Sequence, residues 1–170
     1  MRSSKFTLVY LMIAAPFLWG ACGFYKFNVT SIDPAVESVS VDQFDNNAPV
    51  VNPTLGNTLG DKLRNKFITE SNLSLVEREG DFSFSGTIVR YEVAPVASQD
   101  NAVATLNRLT IGVKVKLECE KATKHNFEQS FTQFEDFDAS RNLSEVENDL
   151  IESITENLVN EIFNKATLDW

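Results

Sequence analysis

Leu106-Asn107-Arg108-Leu109-Thr110-Ile111-Gly112-Val113-Lys114-Val115-Lys116-Leu117-Glu118-Cys119-Glu120 is the cleanest alternation in the chain. Successive side chains of a strand point to opposite faces. Leu109, Ile111, Val113, Val115, Leu117 and Cys119 therefore share one face. Arg108, Thr110, Lys114, Lys116 and Glu118 share the other. One apolar and one polar face is the pattern of an antiparallel sheet with a solvated side.

Working outward, Phe82 to Val96 reads as a second long strand, with Gly86 marking either a bulge or a close approach of backbone. Phe127 to Phe137 pairs back after a turn over Lys121 to Asn126 that holds the only His, His125. Its large apolar positions, Phe127, Phe131, Phe134 and Phe137, do not keep a period of two. A bulge near Gln133 reconciles them, or part of the segment bends away. Glu37 to Phe44 and Leu73 to Glu77 are shorter strand candidates, and Asp45 to Pro49 is a loop by composition.

Two helices complete the order. Asn52-Pro53 suits a helix start, and Leu55, Leu59, Leu63 and Phe67, with Ile68 beside them, make one apolar stripe. The second helix runs from about Leu143 to Ala166, opened by a capping box over Ser144 to Glu147. Val146, Leu150, Ile154, Leu158, Ile162 and Ala166 form its core stripe. The expected fold class is α+β. Two helices pack on one face of a mainly antiparallel sheet of about four to five strands.

The N-terminus has a separate role. Arg2 and Lys5 precede an apolar run, Phe6 to Leu18, and small residues follow at Gly20-Ala21 before Cys22. That order is a secretory signal, too short to span a bilayer as a helix. A cysteine directly after Gly20-Ala21 looks like a bacterial lipobox, although Trp19 stands where Leu is usual. Residues 1–21 are thus expected to be a removable signal, with covalent lipid on Cys22. Residues 22–35 form an extended lead, and residues 36–170 form a single domain. Each buried acyl methylene contributes roughly 0.8 kcal/mol, so two or three chains anchor durably. Gly23-Phe24-Tyr25-Lys26 lacks the acidic residues of retention or surface-export tags. The expected address is the outer membrane, facing the periplasm.

The chain of 170 residues carries a net charge of -9. Without Arg2 and Lys5 the remainder holds 13 basic and 24 acidic side chains, or -11. This argues against nucleic acid, whose binding rests on Lys and Arg at phosphates. Cys119 lies on the apolar side of its strand and reads as a small buried hydrophobe rather than half of a disulfide.

Catalytic signals are sparse. His125 reads as a solvated turn residue, and no second histidine serves a Ser or Cys nucleophile. Glu135, Asp136 and Asp138 resemble a charged strand edge more than a carboxylate pair or calcium loop. No enzyme activity, metal or further cofactor is expected. The basic positions Arg90, Arg108, Lys114 and Lys116 stand out in so acidic a chain. Three share one strand face at even spacing, where they suit phosphates of a lipid or sugar. A merely solvated sheet face is the commoner origin of such a row.

Several stretches together resemble the LptE family of lipopolysaccharide-assembly lipoproteins in its Bacteroidetes form. They are Cys22-Gly23-Phe24-Tyr25, Pro53-Thr54-Leu55, Gly86-Thr87-Ile88-Val89-Arg90-Tyr91, Asn107 to Val115, and Ile162-Phe163-Asn164-Lys165-Ala166 with the terminal Trp170. The resemblance implies two helices on a four-stranded sheet. It also implies a plug inside the β-barrel LptD, the pair inserting lipopolysaccharide into the outer leaflet of the outer membrane. Binding of lipopolysaccharide through basic residues is implied too, with Arg90, Arg108, Lys114 and Lys116 as candidates. The alternative is a lipid-anchored periplasmic glycolipid-binding accessory of another envelope transport system, which needs an apolar pocket.

Overall fold

The computed structural model describes residues 32–50, 52–96 and 105–168. The signal over 1–21, Cys22 and the lead up to Ser31, the polar loop Ser98 to Asn101 and Trp170 lie outside the described residues.

Among the described residues six strands and two α-helices follow in the order β1 (Ser38–Val41), β2 (Asp45–Asn46), α1 (Leu55–Glu70), β3 (Ser74–Leu75), β4 (Phe82–Pro95), β5 (Leu106–Glu118), β6 (Phe127–Asp138) and α2 (Leu143–Thr167). They form one sheet in the order β3-β1-β4-β5-β6, with β2 also on β4. The long strands β4, β5 and β6 pair antiparallel, whereas β1 pairs parallel with β3 and β4, and β2 parallel with β4. The α+β class stands. The sheet, however, is mixed because β1 and β2 run parallel to the strands they pair with. It has six strands because the stretch expected as a loop at Asp45-Asn46 adds two residues of ladder beside Thr87 and Ile88.

The β5 alternation predicts the layering directly. Leu109, Ile111, Val113, Val115 and Leu117 are fully or almost fully buried beneath the helices. Each such side chain contributes roughly 1.5–3 kcal/mol when taken from water. Leu55, Leu59, Leu63 and Phe67 of α1 are buried likewise, while Ile68 turns out to solvent. Phe67 joins the layers: its ring centroid lies 5.1 Å from Phe84 on β4 and 4.9 Å from Phe163 on α2. Phe44 is clamped between α1 and β4. A Cβ on Gly56 would sit 2.3 Å from the Phe44 carbonyl oxygen, and one on Gly86 would sit 2.3 Å from its ring. Gly86 therefore marks a close approach. The bulge falls three residues later, where Val89 is the extra residue between Ile88 and Arg90.

No bulge is needed in β6. Its register against β5 is continuous from Phe127 opposite Leu117 to Asp138 opposite Leu106. Phe131 and Phe137 point into the core, and Phe134 is simply on the other face, 46% exposed. Two helix starts also depart from expectation, and the N-cap of α1 is Thr54 rather than Asn52. The N-cap of α2 is Asn142, and Glu147 is not part of a capping box. Instead Glu147 Oε1 accepts hydrogen bonds from the Tyr91 hydroxyl (2.5 Å) and from Asn52 Nδ2 (3.0 Å). That carboxylate ties α2 to β4 and to the turn that opens α1. Burial and the Glu147 hydrogen bond push the Tyr91 hydroxyl pKa upward.

His125 is buried rather than solvated. The β5–β6 turn folds under the end of α2, where its Nδ1 lies 3.1 Å from the Ala166 carbonyl oxygen. Last-turn carbonyls lack intrahelical partners, so an imidazole N–H is well placed there. Phe82 packs against the ring at 5.3 Å. Cys119 is buried and free, its Sγ accepting the Ala122 N–H at 3.2 Å.

Candidate functional site

The face of β4, β5 and β6 turned away from the helices gathers the four basic candidates. Arg108, Lys114 and Lys116 lie along β5, and Arg90 sits on β4 opposite Gly112, between the levels of Thr110 and Lys114. The Val89 bulge makes this possible. Before it the even-numbered residues of β4, such as Phe84 and Ile88, point inward; after it Arg90 points outward. The strand shift thus brings a fourth cation onto the face that β5 defines.

Each cation has a carboxylate partner. Arg108 donates to both oxygens of Asp136, from Nε at 2.7 Å and Nη2 at 2.9 Å. Its guanidinium also lies 3.7 Å from the centroid of the Phe134 ring, a stacked cation–π arrangement. Lys114 meets Glu128 at 2.5 Å, Lys116 meets Glu118 at 2.8 Å, and Arg90 meets Glu92 at 2.7 Å. The pairings hold the Asp136 and Glu128 carboxyls below their ordinary range, and raise Arg108 and Lys116 above theirs. Four cations against four carboxylates leave these pairs neutral, and all eight side chains reach solvent. Between them lie small hydroxyl residues, Ser85, Thr87, Ser130 and Thr132. A Cβ on Gly112 would come within 3.1 Å of Arg90 Cβ and 3.3 Å of Thr132 Oγ1. The missing side chain leaves room for Arg90 and Thr132 to approach each other across β5.

Chemically, such a face has the means for docking rather than for bond-breaking. It offers salt bridges that can exchange one oxyanion for another, hydroxyls, and one exposed aromatic ring. The acids Glu135, Asp136 and Asp138 do not converge. Glu135 accepts from Ser153 Oγ on α2 at 2.6 Å, Asp136 faces Arg108, and Asp138 accepts from the backbone and hydroxyl of Ser140. Among the described residues no group of three or more His, Cys, Asp or Glu could hold a metal ion. Surface concavities among the described residues differ in lining. One of about 550 Å³ carries Val36 and Leu73 beside Asp33 and Glu37, and one of about 320 Å³ carries Val41, Leu75 and Val76 beside Arg64. One of about 620 Å³ is lined by Glu79, Asp81, Glu118, Glu120 and Lys121 among others. Another of about 330 Å³, between the helices, is lined by Lys62, Lys66, Glu70, Glu152 and Glu156 among others.

The partners of the basic row were the part that sequence reading missed. Glu92 is two residues from Arg90 on the same face, a signal present in the chain itself. Asp136 and Glu128 become neighbours of β5 only through the hairpin register.

The sequence profile of the LptE family, described as lipopolysaccharide-assembly, matches residues 36–166. The chain belongs to the LptE family. The matched span contains every described strand and α1 whole, and α2 up to its last residue but one. No curated protein matches the chain in sequence. Among solved structures, a hypothetical protein of Chlamydia trachomatis is similar with a TM-score of 0.53 at 5% identity, covering 77% of this chain and 98% of that one. A Xanthomonas campestris protein is similar with a TM-score of 0.50 at 15% identity, covering 79% and 87%. At such identities these two likenesses concern the fold alone. Rare lipoprotein B of Shewanella oneidensis matches with a TM-score of 0.48 at 9% identity, over 76% and 90%.

Proposed function

We propose that this LptE-family protein is an outer-membrane lipoprotein, held on the periplasmic side by acyl chains on Cys22, that plugs an LptD-like β-barrel and helps deliver lipopolysaccharide to the outer leaflet. The single observation that carries the reading is the family match across residues 36–166. The helix-free sheet face agrees with it in kind. A barrel lumen is polar, and an exposed surface of neutralised ion pairs and hydroxyls loses little on meeting such a wall. The protein acts by docking and not by making or breaking bonds.

In the same reading Arg90, Arg108, Lys114 and Lys116 meet lipopolysaccharide phosphates. Because each already holds a carboxylate, binding is an exchange: a phosphate replaces Glu92, Asp136, Glu128 or Glu118. Arg108 suits this best, since its fork engages two oxygens at once. The exchange demands a ligand more highly charged than a carboxylate. The accessory-glycolipid alternative needs an apolar slot for acyl chains; the concavity beside Val36 and Leu73 is its candidate, although Asp33, Glu37, Asn72 and Ser74 line it too.

Affinity purification of the lipidated protein from its native membranes tests the reading. A large outer-membrane barrel co-purifying in stable stoichiometry supports it. A chain that is unacylated, or that emerges alone with bound lipid, overturns it. For the basic row, Lys114→Glu with Lys116→Glu is expected to weaken binding to purified lipopolysaccharide severalfold. Unchanged binding would leave the row as ordinary solvated sheet.

A further inference from the structure

On one side β4 is paired with β5 from Ser83 to Pro95. On its other side the ladder stops early. β1 covers Phe82 to Phe84, β2 covers Thr87 and Ile88, and the last bond runs from Asn47 N–H to the Ile88 carbonyl at 2.9 Å. Among the described residues nothing pairs with Val89 to Pro95 on that side. Pro95, which has no N–H to give, is tolerated in β4 for the same reason. The Val89 bulge and Pro95, both of which limit edge pairing, confine the open stretch to a few residues between them. Val89 and Val93 are 45% and 40% exposed, and Val50, three residues past the last bond, is exposed as well.

The sheet's two ends are protected differently. β3 is only two residues long. β6 carries Glu128, Glu135, Asp136 and Asp138 and no Lys or Arg, so two β6 strands brought together would oppose like charges. The open stretch of β4 is instead self-complementary. An antiparallel pairing of two copies centred on Tyr91 sets Arg90 opposite Glu92 of the second copy, and Glu92 opposite its Arg90. Both residues point to the same outer face, and they already attract each other within one chain at 2.7 Å. Val89 and Val93 mark the two ends of the register, on opposite faces of the sheet because of the bulge. A two-fold axis through Tyr91 makes every favourable pair occur twice.

We infer that the β4 segment Val89–Val93 is a homodimerisation edge, joining two copies into one continuous sheet. The contact is small, so the association is weak and is driven by concentration. It stands apart from the proposed barrel docking, because it is read on the purified chain alone.

Sedimentation velocity of the mature protein in density-matched detergent, from about 1 to about 100 µM, tests the inference. The wild type is expected to shift from one copy towards two across this range. Arg90→Glu and Glu92→Arg, each at a side chain half exposed, are each expected to weaken self-association by about tenfold or more, since either sets two like-charge pairs face to face. Combining them restores it. Val93→Lys, checked for folding by circular dichroism, abolishes pairing by placing a charge at the stretch's end. A protein monomeric throughout the range overturns the inference. So does a dimer indifferent to both single reversals, or a double reversal that stays as weak as the singles.

Discussion

The two faces of β5 are built from alternate residues of one thirteen-residue strand, yet they differ in what holds them. Inward, Leu109, Ile111, Val113 and Val115 are wholly buried against the helices. Outward, Arg108, Lys114 and Lys116 are held by single carboxylates in water. Apolar burial is non-directional and strong, whereas an exposed ion pair is worth little and fades with salt. The inner face therefore carries the fold. The outer face is free to change partners, which is what a docking surface requires.

The largest break in that comparison comes from the inner side. Phe84→Ala removes a fully buried ring that touches Phe67, and is expected to cost about 3–5 kcal/mol, read as a lower urea midpoint with an unchanged slope. Glu147→Ala strikes the polar tie between the layers. It leaves the Tyr91 hydroxyl and Asn52 amide without their partner and is expected to cost about 1–3 kcal/mol in the same measurement.

A smaller effect separates the two sides by pH. Asp81 accepts the Glu37 and Ser38 N–H groups at 2.9 and 3.1 Å and pairs with Lys121 at 2.8 Å. Lys121 above all, then the Glu37 amide, lower its pKa from 3.8 to about 2. A carboxylate with a depressed folded value adds stability that is complete above the unfolded pKa and disappears as pH falls through the folded one. Asp81→Asn is thus expected to flatten the loss of stability between about pH 4 and pH 2, measured as melting temperature against pH. An equally steep decline in the variant would exclude Asp81 as its source. The smallest effect belongs to Arg108→Ala. It breaks the Asp136 fork and the Phe134 stack, yet stability should hardly move, and any loss should vanish in high salt. A large, salt-independent loss would show that the outer face is structural after all.

Much of this was legible beforehand wherever one period ran long enough. The β5 alternation assigned both of its faces, and the repeat Leu55, Leu59, Leu63, Phe67 assigned the buried side of α1. Short or interrupted patterns were not legible. Asp45-Asn46 has a loop's composition and becomes a strand only because Thr87 and Ile88 offer it a ladder. Phe134 suggested a bulge because an aromatic ring outside the core was not expected, yet Arg108 covers it from the next strand. His125 reads as polar and solvated until α2 brings its last carbonyl down upon it.

The candidate site divides in the same way. That Arg108, Lys114 and Lys116 share a face follows from the two-residue period of an extended chain, a local property of bonded geometry. That Arg90 joins them depends on one inserted residue at Val89. That Arg108 and Lys114 are neutralised depends on the register of β6 against β5, whereas Arg90 and Lys116 meet Glu92 and Glu118 two residues along their own strands. By itself the sequence determined the strand and helix faces, because each is a repeat along the chain. Only the tertiary structure decided the partners of Arg108 and Lys114 and the unpaired stretch of β4, because those are relations between residues that chain distance does not encode.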